Sequence, residues 1–106
     1  MPAWLVVRAV VADPADRADF DHWYRTEHLP AALRGFHAEA AWRGWSQNNP
    51  AAHCACYRFA DVAAAEAATS GATIQALIAE FDRRWGTRVT RTREIIEVAD
   101  MLEGTP

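Results

Sequence analysis

Residues 3–11, AWLVVRAVV, are apolar on both alternating faces: Trp4, Val6 and Val10 on one, Leu5, Val7 and Val11 on the other. Successive side chains of an extended strand point to opposite sides of its sheet. A strand that is apolar on both sides must be covered on both. Any fold open to this chain therefore needs helices over one face of the sheet and a second cover over the other.

The helices follow in order. ADPADRADFDHWYRTEH, directly after the strand, reads as a helix with Asp13 as N-cap, Pro14 at its first position, and Asp16 and Asp19 near the positive end of its dipole. Pro30 is expected to end or kink it, with AALRG as a last turn before Gly35. Residues 36–46, FHAEAAWRGWS, alternate as a strand, QNNPAA is a turn, and HCACYRFA (53–60) returns as the second arm of a hairpin. Asp61 caps a short helix, VAAAEAATS, closed by Gly71. Thr73 opens a further helix in which Ile74, Leu77, Ile78, Phe81 and Trp85 fall at helical spacing, and Gly86 ends it. RVTRTREIIEVADML is a final strand, and EGTP a tail.

The order β-α-β-β-α-β predicts an α+β, ferredoxin-like fold: a four-stranded antiparallel sheet with its helices on one face. The length suits a single domain over residues 1–106. The face left without helices carries Trp4, Val6 and Val10, or else their alternates Leu5, Val7 and Val11, and either set is too apolar to stay wet. The simplest cover for that face is a second copy of the same sheet, so the expected partner is a homodimer joined through sheet faces.

Composition excludes several classes of function. Apolar residues make up 51% of the chain, too many for disorder, yet no apolar run approaches the ~20 residues of a membrane span. The first apolar stretch is interrupted by Arg8 and lacks a basic leader, so it is not read as a signal peptide, and a cytoplasmic location is expected. Cys54 and Cys56, two apart on a strand, are poorly placed for a disulfide and read as small core residues in a reducing compartment. A net charge of −3 offers no field for nucleic acid. Arg83, Arg84, Arg88, Arg91 and Arg93 crowd together, but strand alternation separates Arg88 from Arg91 and Arg93 and no base-stacking motif accompanies them. All eleven basic residues are Arg, which with the abundant Ala suggests a GC-rich bacterial source. His53 points away from Cys54 and Cys56, and His22 and His28 are six apart on a helix, so no metal site is expected. Neither a glycine-rich phosphate loop nor a serine nucleophile elbow occurs.

Chemistry is concentrated in DHWYRTEHLP, residues 21–30. At 100° per residue, Phe20, Trp23, Tyr24 and Glu27 share one side of the helix, with His28 at its edge. A carboxylate inside an apolar stripe needs a partner or a cavity. Glu27 either pairs with Arg8, Arg91 or Arg93 while His28 caps the helix end, or it joins His28 as a polar group of a pocket walled by Trp23 and Tyr24. An imidazole there is a natural general acid or base.

FDHWYRTEHLP, followed by GF, resembles the EthD-like branch of the dimeric α/β-barrel proteins, which carry an aromatic-rich W-Y-x-x-E-H-x-P stretch on the first helix. EFDRRWGTRVTR is similar as well, and the order and lengths of elements extend the likeness over nearly the whole chain. The resemblance implies a dimeric α/β barrel with a cavity in each subunit between sheet and helices. It also implies a cofactor-independent enzyme of isomerase, dehydratase, cyclase or monooxygenase type acting on a small cyclic or aromatic metabolite. The alternative is a non-catalytic binding or accessory protein. Carried over by position, His28 becomes the acid/base candidate, and Glu27 or Tyr24 orients it or polarises a carbonyl. Trp23 stacks on the substrate ring, with Phe20, Arg8 and Arg91 as further substrate-binding candidates.

Overall fold

The computed structural model describes residues 1–105 and places β1 (Ala3–Val11) inside the sheet. β1 pairs antiparallel with β3 (Ala52–Phe59) on one side and β4 (Val89–Glu97) on the other. β2 (Ala40–Trp45) pairs antiparallel with β3, giving the order β2-β3-β1-β4. This is the ferredoxin-like α+β arrangement expected from the element order. The helical segments are α1 (Arg17–Trp23), α2 (Leu29–Phe36), α3 (Val62–Ala68) and α4 (Ala72–Trp85). Among the described residues no single helix is long and apolar enough to cross a membrane.

Register assigns every side chain to a face. Leu5 lies between Tyr57 and Ile95, Val7 between Ala55 and Arg93, and Ala9 between His53 and Arg91, all on the helix-covered face. Trp4, Val6, Arg8 and Val10 point the other way, beside Cys54, Cys56, Thr92 and Glu94. On that outer face Trp42 is 52% exposed and Ile96 46%.

The caps behave as their chemistry dictates. Asp13 accepts from the Ala15 N–H at 2.9 Å, and Asp61 from the Ala64 N–H at 2.8 Å. Gly86, at φ 58, ends α4. The first helix departs from expectation: Pro30 does not end it. Proline is tolerated in the first turn of a helix, where its missing N–H is no loss. Pro30 sits in that first turn of α2, which resumes after a π turn at Tyr24–His28 and runs to Phe36. The left-handed residue that closes α2 is His37, at φ 54, rather than Gly35, so β2 begins only at Ala40. Gly71 stands as N-cap of α4 rather than as the stop of α3, which ends on Thr69. β4 ends at Glu97, short of the sequence expectation.

Gly35 has a packing role instead. A Cβ there would lie 2.8 Å from Thr73 Cγ2 at the start of α4, so its absence lets the two helices approach. Gly35→Ala is expected to cost about 1–2 kcal/mol, because overpacking (about 1–3) outweighs alanine's gain in helix propensity (about 1). In a Thr73→Ser background, which removes Cγ2, the same change is expected to stabilise by up to about 1 kcal/mol. Urea unfolding of the four proteins checks this, and an equal loss in both backgrounds would place the clash elsewhere.

Candidate functional site

The π turn decides which side chains of DHWYRTEHLP face inward. The Leu29 N–H donates to the Tyr24 carbonyl, five residues back instead of four. The wider step brings residues five apart onto one face. Trp23 and His28 are stacked, ring centroids 4.7 Å apart and planes inclined by 21°. Thr26 reinforces the turn by donating its hydroxyl to the His22 carbonyl at 2.8 Å. Glu27, placed within the apolar stripe by a regular wheel, is rotated into solvent and makes no ion pair among the described residues.

Upstream of the turn the helix is anchored to the hairpin. Asp21 Oδ1 accepts from Arg43 Nη1 and from Trp45 Nε1, both at 2.8 Å. These two bonds, Arg43 foremost, hold the Asp21 carboxyl below the ordinary carboxylate range. Arg43 Nη1 also lies 3.3 Å from His53 Nε2, which accepts from it. His53 is 1% exposed and boxed by Tyr24, Trp45 and Phe20 at centroid distances of 4.4, 5.0 and 5.2 Å. Its Nδ1 is buried without a partner among the described residues. Burial, with Arg43 second, lowers its pKa to about 4, so the ring is neutral.

Beyond this aromatic cluster the core opens into a cavity of about 190 Å³ between the sheet and helices α2 and α4. Leu5, Val7, Phe36, Ile74, Leu77, Ile78 and Phe81 make it predominantly apolar. Its polar side chains are few: the hydroxyls of Tyr24 and Tyr57, 3.5 Å apart, the His28 imidazole, and Arg91 and Arg93 of β4. Among the described residues no carboxylate lines it. The His28 ring rests edge-on against Tyr24 and Phe81, at 4.9 and 5.7 Å. Burial drives its pKa down to about 4, the Arg91 guanidinium adds to the fall, and Glu80 opposes it. Burial likewise lifts Tyr24 to about 12 and Tyr57 further. At neutral pH the site thus holds a neutral imidazole, two protonated phenols and two cations. Arg91 lies over the Phe81 ring at 3.9 Å and donates to Asp82 at 3.2 Å, and burial depresses its pKa.

Of the residues singled out by sequence, Tyr24, His28 and Arg91 meet at this cavity. Phe20 and Trp23 stand behind its wall in the ring cluster, Trp23 backing His28 by the stack. Arg8 is on the opposite face, because even-numbered positions of β1 point away from the helices. Glu27 is turned out by the extra residue of the π turn. Tyr57 was not singled out, although the alternation of HCACYRF already put it on the same face as Phe59. Among the described residues no group of three His, Cys, Asp or Glu side chains converges to hold a metal ion.

Compared by sequence, the chain matches no family model and no curated protein. Its structure is similar to that of an ethyl tert-butyl ether D (EthD) family protein from Bacillus halodurans, with a TM-score of 0.72 at 16% identity, over 92% of this chain and 99% of that one. It is also similar to SnoaB, a cofactor-independent oxygenase from Streptomyces nogalater, with a TM-score of 0.71 at 11% identity, over 97% and 98%. HapK from Hahella chejuensis gives a TM-score of 0.69 at 14% identity, over 98% and 99%. At such identities the likeness shows a shared fold, the one that the EthD-like resemblance implies.

The two buried imidazoles make stability depend on pH. Folded, His28 and His53 stay neutral down to about pH 4, whereas unfolded they titrate near 6.5. Between those values the unfolded chain binds more protons, so their stabilising share is complete above pH 6.5 and is lost as pH falls toward 4. Melting temperature is expected to decline steadily through that window, and His28→Gln, with one titrating group fewer, to show roughly half the decline. Parallel curves for the two proteins would mean that His28 titrates alike folded and unfolded.

Proposed function

We propose that the chain is a small-molecule enzyme that moves protons on a small cyclic or aromatic metabolite held in this cavity, using no cofactor. What carries the reading is the convergence of one neutral imidazole and a paired phenol on a predominantly apolar cavity. A general base must be unprotonated, and His28 is. It takes a proton from carbon or oxygen next to a carbonyl, and the electron pair of that bond delocalises onto the carbonyl oxygen. In a hydrogen-bonded pair of tyrosines only one hydroxyl proton is used between them, so the other is free to donate to the developing oxyanion. The imidazolium then returns its proton to another carbon, completing an isomerisation, or to a departing hydroxyl, releasing water in a dehydration. The likeness to SnoaB favours a second course, in which the same anion adds to dioxygen.

The working form in this reading is a homodimer joined through the outer sheet face, where Trp42 and Ile96 lie exposed beside Trp4, Val6 and Val10. Burying that surface supplies the second cover β1 requires. Two free cysteines suit a reducing, cytoplasmic location. The alternative remains a binding or accessory protein that sequesters the metabolite.

The test begins with a thermal-shift screen of single-ring lactones, quinones, phenols and aromatic acids. Each hit is followed for solvent-deuterium incorporation, product and oxygen uptake. His28→Gln is expected to lower turnover about a hundredfold or more while ligand still raises the melting temperature. Turnover unchanged in His28→Gln would reject its role, and binding without exchange or product would favour the accessory protein. Sedimentation at micromolar concentration is expected to give a dimer, and Val6→Glu a monomer that keeps its fold. A monomeric wild type would reject the shared interface.

A further inference from the structure

We propose that the ligand of this cavity is a single-ring anion, a cyclic or aromatic carboxylate whose charged group is held by Arg91 and Arg93 while its ring lies among Ile74, Leu77, Ile78 and Phe81. The inference rests on the cavity being a small-molecule site, and is independent of whether His28 performs chemistry there.

Three observations support it. The first is charge. Arg91 and Arg93 are two apart on β4 and project to the same face, where each adds positive potential to the other's surroundings. The chain as a whole is acidic, at −3, yet no carboxylate among the described residues reaches the lining. Arg93 makes no ion pair among the described residues. Arg91 has one, with Asp82, and that bond engages only Nη2. Two guanidiniums on an apolar cavity leave an electrostatic demand that a ligand carboxylate meets with charge-assisted hydrogen bonds.

The second is preorganisation. Arg91 is fixed from two directions, by Phe81 beneath its guanidinium and by Asp82 at one nitrogen. Little rotamer freedom is left to lose when a ligand docks, which favours binding.

The third is size. A buried apolar cavity of roughly 150 Å³ holds one benzene ring. The volume here, about 190 Å³, matches one ring with a small substituent. β4 is an edge strand, and Thr92 and Arg93 are exposed, so the carboxylate sits toward solvent with the ring inside. That arrangement leaves the ring on the side of His28 and the tyrosine pair.

An anion at Arg91 would also act on His28, because it offsets the guanidinium that helps hold the imidazole neutral. The charged groups bearing on His28 are Arg91 from β4 and Glu80 from α4, and Tyr24 from its own turn packs against it.

The probes are benzoate and its neutral isostere benzamide, titrated into the purified protein by calorimetry and by NMR of the His28 ring. Benzoate is expected to bind at least about tenfold more tightly than benzamide, the size of one charge-assisted bond. Arg93→Gln, at an exposed position that leaves the core intact, is expected to remove most of that preference, and Arg93→Lys to keep part of it. Benzoate should also raise the pH midpoint of His28, and benzamide should not. Equal affinity for the two probes, no benzoate binding at millimolar concentration, or unchanged preference in Arg93→Gln would each overturn the proposal. His28→Gln separates the two readings. Benzoate bound by a protein that turns nothing over upholds the anion site without the enzyme, and turnover of neutral rings with no benzoate preference does the reverse.

Discussion

The structure depends on one backbone event, the extra residue in the turn at Tyr24–His28. In an α-helix the carbonyl of Thr26 would meet the ring of Pro30, four residues on, with no N–H to receive it. The turn opens just before the proline, with the Leu29 N–H reaching back to Tyr24, and helical backbone resumes through α2. Everything after the turn is rotated by about one residue's 100°. A neutral imidazole, His28, takes the inward place that Glu27 would otherwise hold. Burying a neutral ring on Trp23 costs far less than burying an unpaired carboxylate, so the rotation lets this apolar helix close over the sheet.

The turn is held from both sides. Upstream, Asp21 ties the helix to β2 through Arg43 and Trp45, and the same guanidinium fixes His53 under the rings of Phe20 and Tyr24. Large rings fill that end of the core, where His53 and Trp45 of the sheet join them beside the small Ala9 and Ala55. Downstream, α2 and α4 are drawn together at Gly35 and Thr73. The lining between is mainly branched aliphatics from α4 and β1, and it leaves the void. The cavity is thus the remainder of an uneven distribution of side-chain volume, dense in rings at one end and sparse at the other.

Much of this was legible in the sequence. Period-two alternation and the cap residues Asp13, Asp61 and Gly86 located the strands and most helix ends, and the double-faced β1 announced a sheet that needs two covers. Tyr24 and His28 drew attention because aromatic and titratable groups stood on a stripe a core would otherwise fill, and Arg91 because strand alternation set it on one face with Arg93. The wheel failed at Glu27 because it assumes a constant angular step, and a π turn breaks that assumption within five residues. Arg8 failed for a different reason. Alternation placed it correctly on the face with Trp4 and Val6, but which face the helices cover follows from the whole topology rather than from the strand itself. Tyr57 is inconspicuous in sequence, since its meaning depends on a partner hydroxyl 33 residues earlier in the chain.

The acid–base character of the site is set by packing more than by ion pairs. Desolvation is the leading cause of the shifts of His28, Tyr24 and Tyr57, and each moves toward its neutral form. Among the described residues the formal charges in the lining are guanidiniums, which do not titrate in the physiological range. An imidazole with a pKa near 4 is a weak base, further from the working pH than efficient proton transfer prefers. Its strength is therefore left to whatever enters. A neutral ligand dries the site further and keeps His28 weak, whereas negative charge placed against Arg91 removes one of the two causes of the depression. In the reading proposed above such a cavity couples recognition to reactivity, because the charge that would identify the ligand also moves the base toward neutral pH.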